Sequence, residues 1–305
     1  MNQPNIAVIG SLNMDIVIEA NRLPALGETL MGKQAHFIPG GKGANQAVAT
    51  ARLGARTAMI GAVGGDGFGK ELLHALSQDQ VNTDAVKTVD GTATGIASIM
   101  LAENDNCIVV VAGANATCSP EDIDRHLDKV EAADVVLLQL EIPIETVVYA
   151  AKKAKELGKQ VILNPAPARE LPEQLYACID VITPNQSELG YLSGLAVDET
   201  NVADAMRVLA SKGVRQVVTT LGANGSAILT DDNQFERIAG YKVDVVDTTG
   251  AGDSYNAGLA YALATKQDLK QAVEFASKVA ALAVTKLGAQ AGMPTMEQVK
   301  QFRNE

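Results

Sequence analysis

Tryptophan is absent from the 305 residues, and aromatic residues make up only 4% of them. Proteins that bind single-stranded nucleic acid stack bases on aromatic rings, so that class is disfavoured. Basic charge is also short: 25 Lys and Arg stand against 36 Asp and Glu, a formal net charge of -11. A nucleic-acid surface needs a basic patch, which this balance argues against. Cys107, Cys118 and Cys178 form no C-x-x-C pair. An odd, widely spaced set indicates reduced thiols in a reducing compartment. His36, His74 and His126 lie near no matching cysteine cluster, which argues against zinc. No apolar run approaches the length of a membrane span, and the first residues lack the basic and apolar regions of a signal peptide. The expectation is a cytoplasmic protein with no nucleic-acid or membrane partner.

Two phosphate-binding strings are missing as well. No Gly-Lys is followed by Ser or Thr as a Walker A loop requires, and the glycines at 64–69 do not have G-x-G-x-x-G spacing. A nicotinamide oxidoreductase is therefore disfavoured. An acidic chain that binds a nucleotide must then build positive potential from backbone amides, a few lysines and a metal.

What is present is a large core: 47% of residues are hydrophobic. Residues 5–10 read as a buried strand closed by Gly10, and 57–63 as another. From Asp134 onward, strands at 135–140, 160–163, 179–183 and 216–219 alternate with helices, which implies parallel strands joined by crossover helices. The segments 16–19, 30–39, 95–101 and 106–112, the last two around Glu103-Asn104-Asp105, are β-like and interrupt that alternation. They predict a small inserted β-sheet. The fold class is α/β: a mostly parallel central sheet flanked by helices, with the small sheet as an insertion.

Ligands of such sheets sit at the carboxyl ends of strands. Glu141, Asn164, Asn185, Thr220 with Gly222, and Asp247 each follow a predicted strand. The last of these opens the stretch on which the chain is centred, Asp247-Thr248-Thr249-Gly250-Ala251-Gly252-Asp253. It runs from a predicted strand at 241–246 into a predicted helix at 253–263. Gly250 and Gly252 allow close approach of the backbone, and a helix N-terminus favours an anion. A carboxylate at that anion site has a chemical use: it accepts the proton of a hydroxyl that attacks phosphorus. Read alone, Asp253 is equally a helix cap. Asn185 and Glu188 are likewise either a capping box or a polar pair for a cation at the anion end. Asn13 and Asp15 share one face of an extended segment and suit a polyol, although polar turn residues look the same.

Residues 247–253 resemble the C-terminal signature of the ribokinase-like carbohydrate kinases. Gly40-Gly41-Lys42-Gly43-Ala44-Asn45 resembles the N-terminal signature, and Asn13-x-Asp15 the sugar motif. Together the matches span nearly the whole chain. The resemblance implies transfer of the γ-phosphoryl group of ATP to O5 of D-ribose, with 2-deoxyribose as the alternative acceptor. A sensor that binds sugar or nucleotide without catalysis is a rival that the intact Asp253 argues against. By resemblance Asp253 is the base, and Gly250, Ala251 and Gly252 form an anion hole. Asn13, Asp15, Gly41, Lys42, Gly43, Asn45, Glu141 and Asp253 hold the sugar. Asn185, Thr220, Leu221, Gly222, Ala223, Asn224, Gly225, Gly252 and Ser277 line the nucleotide.

The resemblance also implies Mg2+, held through water by Asn185 and Glu188. It implies an activating K+ near Asp247, Thr249, Ala283, Lys286, Gly288 and Gly292, where Gly292 replaces a serine ligand. It divides the chain into a kinase domain of residues 1–10, 39–93 and 113–305 and a lid of residues 11–38 and 94–112. The lid is the implied contact of a homodimer.

Overall fold

Runs such as Val135-Val136-Leu137-Leu138 are apolar at every position, so they fit a strand covered on both faces. The computed structural model describes residues 3–102 and 105–302. Its strands are β1 (Asn5–Ile9), β2 (Asn13–Glu19), β3 (Gln34–Gly40), β4 (Arg56–Gly64), β5 (Asn82–Val89), β6 (Gly95–Ala102), β7 (Asp105–Val111), β8 (Val135–Leu138), β9 (Gln160–Leu163), β10 (Val181–Ile182), β11 (Gln216–Thr220), β12 (Ser226–Leu229) and β13 (Phe235–Ile238). Its α-helices are α1 (Lys42–Arg52), α2 (Gly67–Gln78), α3 (Pro120–Arg125), α4 (Leu127–Ala132), α5 (Ile144–Glu156), α6 (Glu173–Tyr176), α7 (Gln186–Ser193), α8 (Val202–Ser211), α9 (Ala251–Ala264), α10 (Leu269–Ala283), α11 (Ala289–Gly292) and α12 (Met296–Gln301).

Nine strands form one sheet in the order β13-β12-β11-β10-β9-β8-β1-β4-β5. It is parallel except for β12 and β13 at one edge. Two buried clusters cover its faces. One packs Val136, Leu138 and Leu163 against α5 and α8, and the other packs Val135, Leu137 and Ile162 against α1, α9 and α10. The alternating residues of β8 therefore divide between two cores, each fully buried side chain contributing about 1.5–3 kcal/mol. β1 lies between β4 and β8. That is where the chain order reverses, and the carboxyl ends of the strands open a crevice there.

A second sheet, β3-β2-β6-β7, stands apart from the first. β2 pairs with β6 in parallel and with β3 antiparallel. Alternate residues Ala97 and Ile99 of β6, and Ile108 and Val110 of β7, turn towards the crevice with Asp15 of β2. The fold class expected from the sequence is thus the one observed. Of the expected turn between β6 and β7, Glu103 and Asn104 lie outside the described residues, as does Arg303 after α12.

Several expected elements differ. Residues 241–246 form no strand. Their β-branched pattern lies beyond the edge of the sheet, and the Val246 N–H donates to the Val284 carbonyl instead of to a ladder. β5 and the antiparallel β12–β13 edge were not expected, because mixed polarity in Asn82–Val89 and Phe235–Ile238 hides their periodicity. Helix α9 starts at Ala251, two residues before the expected start, and α1 starts at Lys42 instead of Ala44. In both, a glycine with positive φ precedes the first helical residue.

No helix among the described residues is long and apolar enough to cross a membrane. The three cysteines are unpaired.

Candidate active site

The N-terminus of α9 is shaped by Gly250. Its φ of 76° and ψ of 3° lie in the left-handed region, and a Cβ there would stand 3.0 Å from the Cα of Ala289. Both constraints demand glycine. The turn they permit closes with the Ala251 N–H donating to the Thr248 carbonyl at 3.2 Å. The Gly252 amide, at the second helical position, has no acceptor among the described residues, as helix starts require, and nothing lies within 4 Å of where its Cβ would be. The Gly250 amide has none either, so of the three expected anion-hole amides two are free and Ala251's is engaged.

Asp253 is the third residue of α9 and is 7% exposed. Its side chain does not cap its own helix. Oδ2 accepts from Asn45 Nδ2 at 2.9 Å, and Oδ1 accepts from Gln46 Nε2 at 3.0 Å, both from α1. The capping alternative is excluded by this geometry: the carboxylate turns inward to another helix. Burial raises its pKa, with Glu141 adding to the rise and Lys42, Asn45 and Gln46 opposing it. A carboxylate moved towards neutrality is a stronger base for proton abstraction.

Asp253 and Gly250 line a cleft of about 940 Å³ between the two sheets, with Asn13, Asp15, Lys42 and Glu141. Asn13 comes from β2, and its Oδ1 accepts from Asn115 Nδ2 at 2.8 Å. Asn13 lines the cleft, and its own amide N–H groups have no acceptor among the described residues. Asp15 is pushed up to about 7 by burial, then by Glu141 and Asp253, with Lys42 opposing. Burial pulls the Lys42 ammonium down, but Asp253, Glu141, Glu188 and Asp15 together outweigh it and raise its pKa. Glu141 accepts from Ser11 Oγ at 2.5 Å and from the Lys42 N–H at 3.2 Å through one oxygen. It therefore ties the segment between β1 and β2 to α1 as well as lining the cleft. Gly41 and Asn45 also line it. Gly43 does not: a Cβ there would stand 2.6 Å from the Ser11 amide, so this glycine serves the packing of α1 on the end of β1.

A smaller recess of about 150 Å³ adjoins this cleft, between α9 and α7. Asn185, Glu188 and Thr220 border it with Gly252 and Lys42. Asn185 and Glu188 form the capping box: Asn185 Oδ1 accepts from the Glu188 N–H and Glu188 Oε2 accepts from the Asn185 N–H, each at 2.8 Å. Burial raises the Glu188 carboxyl, with Asp253 adding to the rise against the Asn185 amide and Lys42. Four carboxylates thus surround one lysine here. A polyanion enters such a site with cations, and among the described residues no three His, Cys, Asp or Glu are grouped to hold a metal directly.

The remaining expected nucleotide residues lie outside both spaces. Leu221 precedes the exposed 3-10 turn Gly222–Asn224 beyond β11, and Gly225 packs against the Ile238 carbonyl. Ser277 is buried in α10, where its hydroxyl neighbours that of Tyr255.

The expected cation residues meet beside α11. Asp247 Oδ1 accepts from the Thr249 N–H and hydroxyl, and Oδ2 accepts from the Gly288 N–H. Burial alone would raise this carboxyl, but those bonds hold it below its usual value. A Cβ on Gly292 would stand 2.5 Å from the Ala283 carbonyl oxygen and 3.6 Å from that of Lys286. Two carbonyls converge on one space, and a serine at 292 would have to displace one of them.

Sequence reasoning missed Ser11, Gln46, Asn115 and Gln139. The signal for Gln139 was present: a lone amide inside the apolar run 135–140.

The whole chain compares closely with known proteins. The family model described as pfkB family carbohydrate kinase matches residues 3–296. A ribokinase from Bacillus subtilis is 41% identical over 298 residues, covering 98% of this chain and 99% of its own. A deoxyribokinase from Salmonella typhimurium is 37% identical over 301 residues, covering 98% of each. The structure of Arabidopsis thaliana ribokinase complexed with ribose and ATP has a TM-score of 0.93 and 35% identity, covering 99% of this chain and 100% of that one.

Proposed function

The chain belongs to the pfkB family of carbohydrate kinases, and we propose on that premise that it transfers the γ-phosphoryl group of ATP to O5 of D-ribose. One observation carries the reading. The Asp253 carboxylate lies between a cleft in which Asn13 and Asp15 are polar groups and a recess bordered by the free Gly252 amide. A sugar in the cleft and a phosphate in the recess would meet at that carboxylate.

The O5 proton passes to Asp253 as the O5–P bond forms. The bond from the γ-phosphorus to its bridging oxygen breaks, and ADP leaves with that electron pair. The Gly250 and Gly252 amides donate to the charge on the transferring group. Asn13 donates to a ring hydroxyl and Asp15 accepts from one, which we assign to the 2- and 3-hydroxyls. Lys42, between the two spaces, offsets negative charge on either side.

Mg2+ fits beside Glu188, whose Oε1 remains free of hydrogen bonds among the described residues, and Asn185 orients that side chain through the capping box. When bound, it offsets phosphate charge. K+ fits the convergent Ala283 and Lys286 carbonyls. When bound, it stiffens the loop that Asp247 ties to Thr249. If Glu188 works through the divalent cation, Glu188→Gln raises the magnesium concentration for half-maximal rate severalfold and leaves ribose binding unchanged. An unchanged magnesium requirement leaves Glu188 a helix cap.

The small sheet closes over the sugar as a lid. Its β7 edge exposes Ile108, Val109, Val110 and Val111, each at least half exposed, and pairs two copies of the chain into a homodimer. Sedimentation at micromolar concentration checks that pairing. Unpaired cysteines suit a cytoplasmic enzyme.

A coupled ADP-release assay on ribose, 2-deoxyribose, fructose and adenosine tests the function. Ribose is expected to give the highest kcat/KM, with a lower rate when sodium replaces potassium. A preference for 2-deoxyribose would favour the second reading, deoxyribokinase, which the Salmonella relative supports. ADP release with none of the four sinks both.

A further inference from the structure

Each oxygen of Asp253 is held by an amide, and each of those amides is held by another. Gln139 Nε2 donates to Gln46 Oε1 at 2.6 Å, and Gln46 Nε2 donates to Asp253 Oδ1 at 3.0 Å. Gln290 Nε2 donates to Asn45 Oδ1 at 3.1 Å, and Asn45 Nδ2 donates to Asp253 Oδ2 at 2.9 Å. All four amides are buried. The polarity of both chains follows from chemistry. An ionised carboxylate only accepts, so the amide atom nearest to it must be nitrogen. The oxygen at the other end of that amide then faces away and needs a donor, because burying it unpaired is costly.

We infer that Gln139 and Gln290 are positioning residues for the base: each fixes the amide that holds one oxygen of Asp253. The inference rests on the reading of Asp253 as base. Neither glutamine lines the sugar cleft or the recess beside it. Gln139 stands at the end of β8, and its Oε1 is buried without a partner, so the side chain is retained at a cost that its packing does not explain. Gln290 lies in α11, held there by Arg52, which donates to the Gln290 carbonyl and to that of Met293. Its relay therefore joins the 284–292 segment to the base through a side chain.

With an outer donor removed, the oxygen of the inner amide loses its partner, and turning it towards Asp253 becomes favourable; at Gln46 that turn also breaks the 3.2 Å bond from Nε2 to Asn164 Oδ1. The carboxylate is then disfavoured and its protonated form gains an acceptor. The charged groups that act on Asp253 are Lys42 of α1, Glu141 after β8, Asp15 of β2 and Glu188 of α7. None of them is altered by substitution of either glutamine.

The test uses Gln139→Met and Gln290→Met in the full chain, which keep the volume and remove the donor. Each is expected to lower kcat about tenfold, to move the acidic limb of the kcat profile up by about one pH unit, and to leave both KM values within about twofold. The Gln139 side chain makes no hydrogen bond to α11, so the same effect in both variants separates the relay from a defect in the cation loop. A readout without turnover is the titration of Asp253 in ligand-free protein by carboxyl carbon NMR, with the signal assigned by its loss in Asp253→Asn. Its midpoint should rise in both variants even if ribose proves not to be the substrate. Should a variant not fold, the wild type suffices: the Gln139 and Gln290 side-chain amide resonances must shift as Asp253 titrates. Superimposable titrations in correctly folded variants, or Gln139 and Gln290 amides that do not respond to Asp253, overturn the inference.

Discussion

Asp253→Asn is expected to lower kcat by about 10²–10⁴-fold, the range of a lost general base, while ribose affinity measured calorimetrically stays within a few-fold. The substitution replaces one of two accepting oxygens by a donor. Asn45 and Gln46 both present N–H groups at 2.9 and 3.0 Å, so one of them is left opposite another donor. The neutral side chain cannot take the O5 proton, and no other carboxylate substitutes. Glu141 is engaged by Ser11 and the Lys42 amide, and Asp15 faces the cleft from β2. Loss confined to kcat means that the interaction is made only as the proton moves. A near-wild-type kcat would remove Asp253 from the chemistry. It would then be a buried carboxylate that joins α9 to α1.

The second large effect is discrimination at the sugar. The expected preference for ribose over 2-deoxyribose is about 10²-fold or more in kcat/KM. Asp15 is partly buried and, when ionised, only accepts, so a missing hydroxyl leaves it without a donor, a cost of about 1–3 kcal/mol. Where the closed cleft excludes water, the ratio rises further. Asp15→Asn should narrow the gap mainly by harming ribose. The pH dependence has a definite sign. The Asp15 carboxyl is raised to about 7, and a hydroxyl donates best to its ionised form. The ribose KM is therefore constant above that value and rises as pH falls through it, approaching tenfold per unit. Asp15→Asn should abolish this limb and leave the Asp253-dependent fall in kcat. Equal use of the two sugars by the wild type would show that Asp15 does not read the 2-hydroxyl.

Much of this architecture was legible in the sequence because the signals are local. A strand or helix follows from the period of apolar residues over ten positions, and the two glycine-rich turns follow from backbone freedom at single residues. The alternation after Asp134, the small inserted sheet and the stretch at 247–253 were all readable on that basis. The same locality explains the failures. Residues 241–246 have strand chemistry, but a strand also needs a neighbour with free backbone groups, and the sheet ends at β13. Asp253 has the chemistry of a cap, yet starting α9 two residues earlier turns it away from its own helix amides.

What surrounds Asp253 was decided only by tertiary structure. Asn45 meets Asp253 across 208 positions and Gln139 meets Gln46 across 93. No periodicity spans such separations. A lone glutamine in an apolar strand announces a buried polar group, and burial requires that it find a partner. Which partner, and which end of the amide faces it, depends on how β8, α1 and α9 pack. The residue types proposed for phosphoryl transfer were therefore set by the sequence alone. Their orientation and their shifted proton affinities were set by packing, because desolvation and hydrogen-bond direction exist only once the chain is folded.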